Sequence, residues 1–162
     1  MSRIKRYGLL IGLFLIINVG IIGCNMQKKI SVEKIHDEIS FSKTNETELV
    51  QKYGKPDTIV NKPKLVNERY FCIGKDSKSI MNKIQSGSKF EETLSIDTKK
   101  IDRLLDKTED APFDKYYQYD NVSGLKYVRF YISKNKVYDY EFGEIVDKEK
   151  AKKDRYLSQI MD

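Results

Sequence analysis

The sequence has two cysteines, Cys24 and Cys72, and one histidine, His36, the residue types that commonly supply thiolate nucleophiles, proton transfer or zinc ligands. A catalytic serine or thiol needs a base nearby, and His36 is the only histidine able to serve as one. The segment around His36 predicts a tether ahead of a folded domain, with a short amphipathic helix on Val32, Ile35 and Ile39 that could lie along the membrane or pack on the domain. We therefore expect an exposed or hydrogen-bonded histidine. A single histidine without a second ligand near it also predicts no zinc site.

No other motif identifies a reaction. The sequence contains no GxSxG, no phosphate-binding P-loop and no HExxH. The sequence has 24 acidic residues, and any two of them could be neighbours in the fold, so it does not single out a pair of catalytic carboxylates. The segment "DKTEDAPFD" lacks the alternating ligands and the central glycine of a calcium-binding loop. We therefore predict that the protein is not an enzyme and that it binds no metal or cofactor.

Cys72 lies in "NERYFCIGK", between Phe71 and Ile73. This apolar setting predicts a small buried side chain with a structural role rather than a catalytic thiol. If Cys24 is chemically modified, Cys72 has no partner within the chain, which excludes a disulfide framework.

The first 24 residues have the organisation of an export signal. Arg3, Lys5 and Arg6 precede a run of seventeen uncharged residues, Tyr7 to Gly23, and Cys24 follows directly. Seventeen residues lie at the lower limit for a membrane-spanning helix and near the upper limit for the apolar region of a signal peptide. Length alone therefore does not separate a cleaved signal from a membrane anchor.

The segment Ile21–Cys24, "IIGC", resembles the lipobox of bacterial prolipoproteins, and the resemblance covers residues 1–24. It implies a diacylglycerol on the Cys24 sulfur and cleavage between Gly23 and Cys24. The alternative is an uncleaved signal anchor with an incidental cysteine. Both interpretations place the rest of the chain on the outer face of the cell membrane. A composition rich in Lys, Ile, Asn and Tyr, without Trp, favours a Gram-positive source.

The lipobox assignment divides the chain into a signal peptide (1–23), a lipidated tether (24–44) and one domain (45–162). The whole sequence has a formal charge of +6, but three basic residues lie in the signal peptide, which leaves 27 basic and 24 acidic residues, or +3. So small an excess, without a basic stripe, predicts no nucleic-acid binding. The predicted partners are the membrane, through Cys24, and an envelope or extracellular protein or peptide.

Asn45 and Glu48 have the spacing of a helix capping box, and Gly54 and Pro56 end the predicted helix. Strands are predicted next at residues 58–60 and 65–73. This order, with "YGKPD" between helix and strand, resembles the SmpA/OmlA (BamE-like) and beta-lactamase-inhibitor-protein-like domains over residues 45–73. Helix termination alone also explains a glycine followed closely by proline. The sequence differs from those domains in that it has no tryptophan.

The apolar spacing of later residues predicts a similar order of elements, although their sequences are too different to establish a repeat. Helical spacing is found at Ile80, Met81 and Ile84, followed by a candidate strand at 89–96. A second helix is expected after a cap at Asp97, on the stripe formed by Ile101, Leu104 and Leu105, and then a strand at 114–119. We predict an α+β fold: a small antiparallel sheet with helices packed on one face, compatible with two degenerate helix–strand–strand units.

The alternation in "LKYVRFYISKNKVYDYEF" predicts a β-hairpin. A three-residue loop, Lys134 to Lys136, would place Phe130 opposite Tyr140 and Ile132 opposite Tyr138 and keep the apolar residues on one face, whereas a two-residue turn would divide them between faces. The register that keeps one apolar face is therefore predicted.

The opposite face of this hairpin carries Tyr127, Arg129 and Tyr131, which we predict as the partner-binding face because tyrosine is enriched at contact surfaces. The alternative is that tyrosine simply favours strands and that a helix covers this face. The C-terminal residues 147–162 predict a helix with Leu157, Ile160 and Met161 as its contact stripe. Its basic residues are interleaved with Glu149 and Asp154, which predicts a solvated surface; the alternative is attraction to anionic lipid.

Together these features predict a membrane-anchored surface lipoprotein that acts as a non-catalytic binding or envelope-assembly module. Two alternatives remain open at this stage. One is a protective binder such as a bacteriocin-immunity or phage-exclusion lipoprotein, which small size favours. The other is a precursor whose released signal peptide acts as a pheromone, which leaves the domain without a role.

Overall fold

The computed structural model describes residues 30–75, 79–83, 98–108 and 111–161. Within these residues the α-helices are α1 (Val32–Glu38), α2 (Glu46–Tyr53), α3 (Pro63–Tyr70), α4 (Thr98–Thr108) and α5 (Lys148–Ala151). The strands are β1 (Thr58–Val60), β2 (Lys115–Val122), β3 (Leu125–Ser133) and β4 (Lys136–Phe142). Short 3₁₀ helices span Ile73–Lys75, Ile80–Lys83 and Leu157–Ile160.

The four strands form one antiparallel sheet in the order β1-β2-β3-β4, so the predicted α+β class is confirmed. Two-residue turns connect the three long strands. Ser123 and Gly124 join β2 to β3, and Lys134 and Asn135 join β3 to β4, all four with positive φ between 47° and 85°. Such turns have the twist that matches antiparallel strands.

The register of β3 and β4 is partly as predicted. Val128 lies opposite Phe142, and the next three pairs follow the predicted register. Nearer the turn, Ile132 lies opposite Val137, and Tyr138 is the extra residue of a β-bulge. The prediction of a three-residue loop was wrong because the bulge allows a two-residue turn and still returns the following apolar residues to the core.

Both faces of the sheet are covered, which corrects the expectation of helices on one face. The first face packs against α1, α2 and the C-terminal segment, in a cluster that includes Val32, Leu49, Phe130, Tyr140 and Leu157. The second face packs against α3 and α4, in a cluster of Val66, Leu104, Phe113 and Tyr131. A strand buried on both faces cannot present an open binding surface.

Residues 30–44, predicted as part of a tether, belong to the folded domain. The side chains of Ile30, Val32, Ile35 and Ile39 are at most 7% exposed and lie in the main core cluster. The amphipathic pattern of this segment correctly indicated a helix, and that helix packs on the domain. The domain therefore begins no later than Ile30, and the predicted boundary at residue 45 was too late.

Helix α2 begins with the predicted capping box, in which Asn45 and Glu48 exchange side-chain and backbone hydrogen bonds of 2.9 Å. The prediction of a strand at residues 65–73 was wrong, because Pro63 occupies the first turn of α3, where its fixed φ and missing N–H favour a helix. The first predicted helix–strand–strand unit is therefore absent, whereas α4, β2 and β3 follow the predicted order of the second.

The other predictions for individual elements have mixed outcomes. The strand at residues 114–119 is confirmed as β2. The C-terminal helix was predicted as one element, but the structure has α5 and a separate 3₁₀ helix; Leu157 is buried, and Ile160 and Met161 pack on the core as expected. Ile84, Asp97 and the candidate strand at 89–96 lie outside the described residues.

Gly124 and Gly54 provide a matched test of the packing around the β2–β3 turn. Both have positive φ, +85° and +84°. A Cβ on Gly124 would collide with the Asp147 carbonyl and lie 2.8 Å from the Ala151 nitrogen, whereas a Cβ on Gly54 meets nothing within 4 Å.

We expect Gly124→Ala to lower the free energy of unfolding by about 3 kcal/mol or more, since backbone strain and collision add. Gly54→Ala should cost about 2 kcal/mol, from backbone strain alone, because φ +84° with ψ −169° is a conformation adopted almost only by glycine. Urea unfolding of the two variants measures the difference. Equal losses of stability would contradict the close packing of Gly124 against α5.

Candidate functional site

The three residues of the predicted partner face lie beneath α3. The Tyr131 side chain is 0% exposed and Tyr127 is 8% exposed, and the Arg129 side chain keeps 14% of its surface accessible. These side chains are packed inside the domain, so the prediction of an open face is corrected. Helix α3 covers this face, as the alternative interpretation of the tyrosine-rich strand predicted.

These residues surround the carboxylate of Glu141, which is fully buried. Arg69 of α3 and Arg129 of β3 donate hydrogen bonds to it, the latter at 3.0 Å, and the hydroxyls of Tyr127 and Tyr131 each donate at 2.8 Å. Burial by itself would raise the pKa of Glu141, but the two guanidinium groups and the two hydroxyls stabilise the charged form and hold its pKa below the usual value.

Asp139, two residues earlier on β4, lies in a different environment. Its carboxylate accepts hydrogen bonds from the Tyr70 hydroxyl at 2.9 Å and from the Tyr140 amide at 2.7 Å. Burial raises the pKa of Asp139 to about 6, and these two hydrogen bonds offset only part of that effect. The pKa values of the two carboxylates on β4 therefore shift in opposite directions.

The Glu141 cluster holds α3 against the sheet. A buried ion pair of this kind orients elements, and removing one partner would leave an uncompensated charge in the interior. Sequence reasoning placed Arg129 on this face of the hairpin but missed Arg69, because the α3 segment had been predicted as a strand. Proline at the first position of a helix was the signal that would have placed Arg69 correctly.

The remaining residues singled out for chemistry lie apart from this cluster. Cys72 is exposed, so the prediction of a buried cysteine was wrong. His36 is half-buried, with its Nδ1 atom 2.7 Å from an Asp37 carboxylate oxygen and 2.9 Å from the Tyr156 hydroxyl, which agrees with a hydrogen-bonded histidine. Cys24 lies outside the described residues.

An open groove of about 430 Å³ lies where α1, the β2–β3 turn and the C-terminal segment meet. Its volume suits a small polar group. The residues that line it are of polar or charged types and include three lysines: Ser31, Glu33, Lys34, Asn121, Ser123, Lys150, Lys153 and Asp154.

Asp154 forms the floor of this groove and is 5% exposed. One carboxylate oxygen accepts hydrogen bonds from the Val32 amide and the Ser123 hydroxyl, both at 2.9 Å, and from the Glu33 amide at 3.3 Å. The other accepts from the Tyr156 amide at 3.1 Å. Asp154 thus joins three separate segments, and sequence reasoning missed it because these contacts span more than a hundred residues.

Comparisons with models of protein families, with curated proteins and with solved structures find no match to this chain. In the part of the chain that the structure describes, no helix is both long and apolar enough to cross a membrane. Over the same residues, no group of three or more histidine, cysteine, aspartate or glutamate side chains is arranged to hold a metal ion.

Two buried tyrosines test the importance of the Glu141 hydrogen bonds. Tyr131→Phe removes a hydroxyl that donates to Glu141, and we expect a loss of about 2 kcal/mol because the acceptor is a buried charge. Tyr140 is the matched control, since its buried hydroxyl has no hydrogen-bond partner among the described residues. Tyr140→Phe should be neutral or stabilising. Chemical unfolding of both variants provides the measurement, and a larger loss for Tyr140→Phe would contradict this assignment.

Asp139 should make stability depend on pH. Because its folded pKa of about 6 is above its ordinary value of 3.8, its contribution is most favourable below pH 4 and is lost as pH rises through 6. Asp139→Asn should therefore be more stable than the parent by about 2 kcal/mol at pH 7, and the advantage should disappear near pH 4. Unfolding midpoints between pH 4 and 8 test this, and a difference independent of pH would refute it.

Proposed function

We propose that this chain is a lipoprotein anchored to the outer face of the cell membrane, with a domain that binds an envelope or extracellular partner without catalysing a reaction. The observation that carries the proposal is the segment Ile21–Cys24, which follows a basic and then an apolar stretch at the spacing of a lipobox. Cysteine supplies the sulfur that is alkylated by lipid, and Gly23 gives a processing protease unhindered access to the backbone.

Lipidation on Cys24 would provide stable attachment. One acyl chain gives only marginal membrane affinity, whereas the two chains of a diacylglyceryl group, at about 0.8 kcal/mol per buried methylene, keep a protein at the membrane. A transmembrane helix within the domain is then unnecessary.

The short connection between anchor and domain restricts where the domain can act. Ile30 already packs in the core, and only five residues separate it from Cys24. A fully extended chain of that length spans about 20 Å at most. A domain held so close to the bilayer reaches partners at the membrane surface, which supports an envelope-assembly role. It is equally compatible with the alternative of a protective binder against a bacteriocin or phage component.

Two of the buried carboxylates, Glu141 and Asp154, have structural roles, which is compatible with a domain that does not catalyse a reaction. Glu141 is occupied by two arginines and two tyrosines, and Asp154 by backbone amides and a serine hydroxyl. Both carboxylates thus hold segments of the fold together. The resemblance to BamE-like domains remains part of the proposal for residues 45–60, where α2, Gly54, Pro56 and β1 follow the expected order; beyond them, α3 replaces the strand that the resemblance included.

Cys24→Ala should abolish lipid attachment and release the protein from the membrane, because the acylated sulfur is lost. Metabolic labelling with an alkyne fatty acid, followed by cell fractionation, measures both effects. Cys72→Ala, which removes the other cysteine, is the matched control and should retain label and membrane association. Labelling of the Cys24→Ala protein at the parent level would refute the lipobox assignment.

The binding role can be tested in the same cells. Cross-linking at the cell surface should join the parent protein to a defined envelope protein and should do so far less after Cys24→Ala. A captured assembly factor would favour the main proposal, and a captured bacteriocin or phage component would favour the protective alternative. Absence of any cross-linked envelope or extracellular protein would contradict a binding role.

A further inference from the structure

The groove around Asp154 brings the exposed Lys34 together with two exposed lysines from the other end of the chain, Lys150 and Lys153. Lys34 lies on α1, Lys150 on α5, and Lys153 follows α5. Two carboxylates also line the groove, but Asp154 is buried beneath backbone and hydroxyl donors, and Glu33 lies 3.7 Å from the Arg155 guanidinium. The charged side chains of the groove that reach solvent are therefore three lysines and Glu33, an excess of positive charge.

Of the three groove lysines, only Lys150 forms an ion pair with an acidic residue among those that the structure describes. Asp147 pairs with Lys150 at 3.1 Å. Within the described parts of the chain, no carboxylate lies within ion-pair distance of Lys34 or Lys153. Asp154 keeps its charge, because its hydrogen-bond donors are backbone amides and a serine hydroxyl, but it is only 5% exposed and lies below the surface that the lysines form.

The groove lies next to the segment that leads to Cys24. Ser31 is one of its lining residues and is seven residues from Cys24, a separation of about 25 Å at full extension. The intervening sequence includes Lys28 and Lys29. If Cys24 is held at the bilayer surface, the groove stays within reach of the lipid headgroups.

We propose that the surface formed by Lys34, Lys150 and Lys153 contacts the membrane itself and binds the phosphates of anionic phospholipids. This inference rests on the proposed lipid anchor. Exposed lysines are attracted to an anionic surface, and tethering raises their effective concentration there. The interaction would orient the domain with the β2–β3 turn toward the membrane and the opposite end of β3, about 26 Å away along the strand, toward the outside.

The opposite end of β3 supplies a matched control surface. Lys134 and Lys136 flank the β3–β4 turn, and Lys43 adjoins Ser42, whose amide donates to the Val137 carbonyl at 2.6 Å. All three lysines are exposed. Replacing them changes the net charge by the same amount as replacing the groove lysines.

The first test uses the full lipidated protein in vesicles of phosphatidylcholine, with or without 30% phosphatidylglycerol, a composition chosen at roughly the anionic content needed for surface attraction. Acetylation of each lysine is followed by mass spectrometry. Phosphatidylglycerol should slow acetylation of the groove lysines about threefold or more, reversibly with salt, and leave the control lysines unchanged. Equal rates in the two vesicle types would overturn the proposal.

The second test places a fluorophore on exposed Cys72 and measures energy transfer to a labelled lipid. Phosphatidylglycerol should change the transfer in the parent protein and in the K43Q/K134Q/K136Q variant, and K34Q/K150Q/K153Q should abolish the change. An unaltered response in the groove variant would overturn the inference. Failure of the lipidated protein to float with either vesicle would instead contradict the anchor, so the two failures are distinguishable.

Discussion

The buried carboxylate of Asp154 determines how the beginning, middle and end of the described chain meet. Its oxygens accept bonds from the first turn of α1, from Ser123 in the β2–β3 turn and from the segment after α5. A buried carboxylate is costly unless its lone pairs are satisfied, so these segments must converge on it. The convergence forms the polar groove and places Lys34 beside Lys150 and Lys153.

Glu141 has a corresponding role on the second face of the sheet. Its charge can remain buried only with donors from both β3 and α3, so the helix and the strand are held together by the same group. Asp139 lies nearby without such cationic compensation in its hydrogen bonds, and its pKa rises to about 6. The sheet thus contains one carboxylate that favours the ionised form and one that disfavours it, both on the face covered by α3.

Local sequence signals predicted part of the fold well. The capping box at Asn45, the strands β1 and β2 and the outer register of the β3–β4 hairpin depend on neighbouring or regularly spaced residues. The predictions at residues 65–73 and at the β3–β4 turn were wrong, because an isolated apolar run does not distinguish helix from strand and a β-bulge can restore a face that a shorter turn would otherwise shift. The predicted α+β class was nevertheless correct, because it depends on the sheet as a whole and not on any one of these elements.

The sequence by itself determined the lipobox-like segment ending at Cys24, the alternation of the long strands and the helical stripe of residues 32–39, since each is a property of nearby residues. Only the tertiary structure decided that Tyr127, Arg129 and Tyr131 are covered, that residues 30–44 belong to the domain and that Lys34 shares a groove with Lys150 and Lys153. Those outcomes depend on which buried charges find donors, and the donors of Glu141 and Asp154 come from segments far apart in the chain.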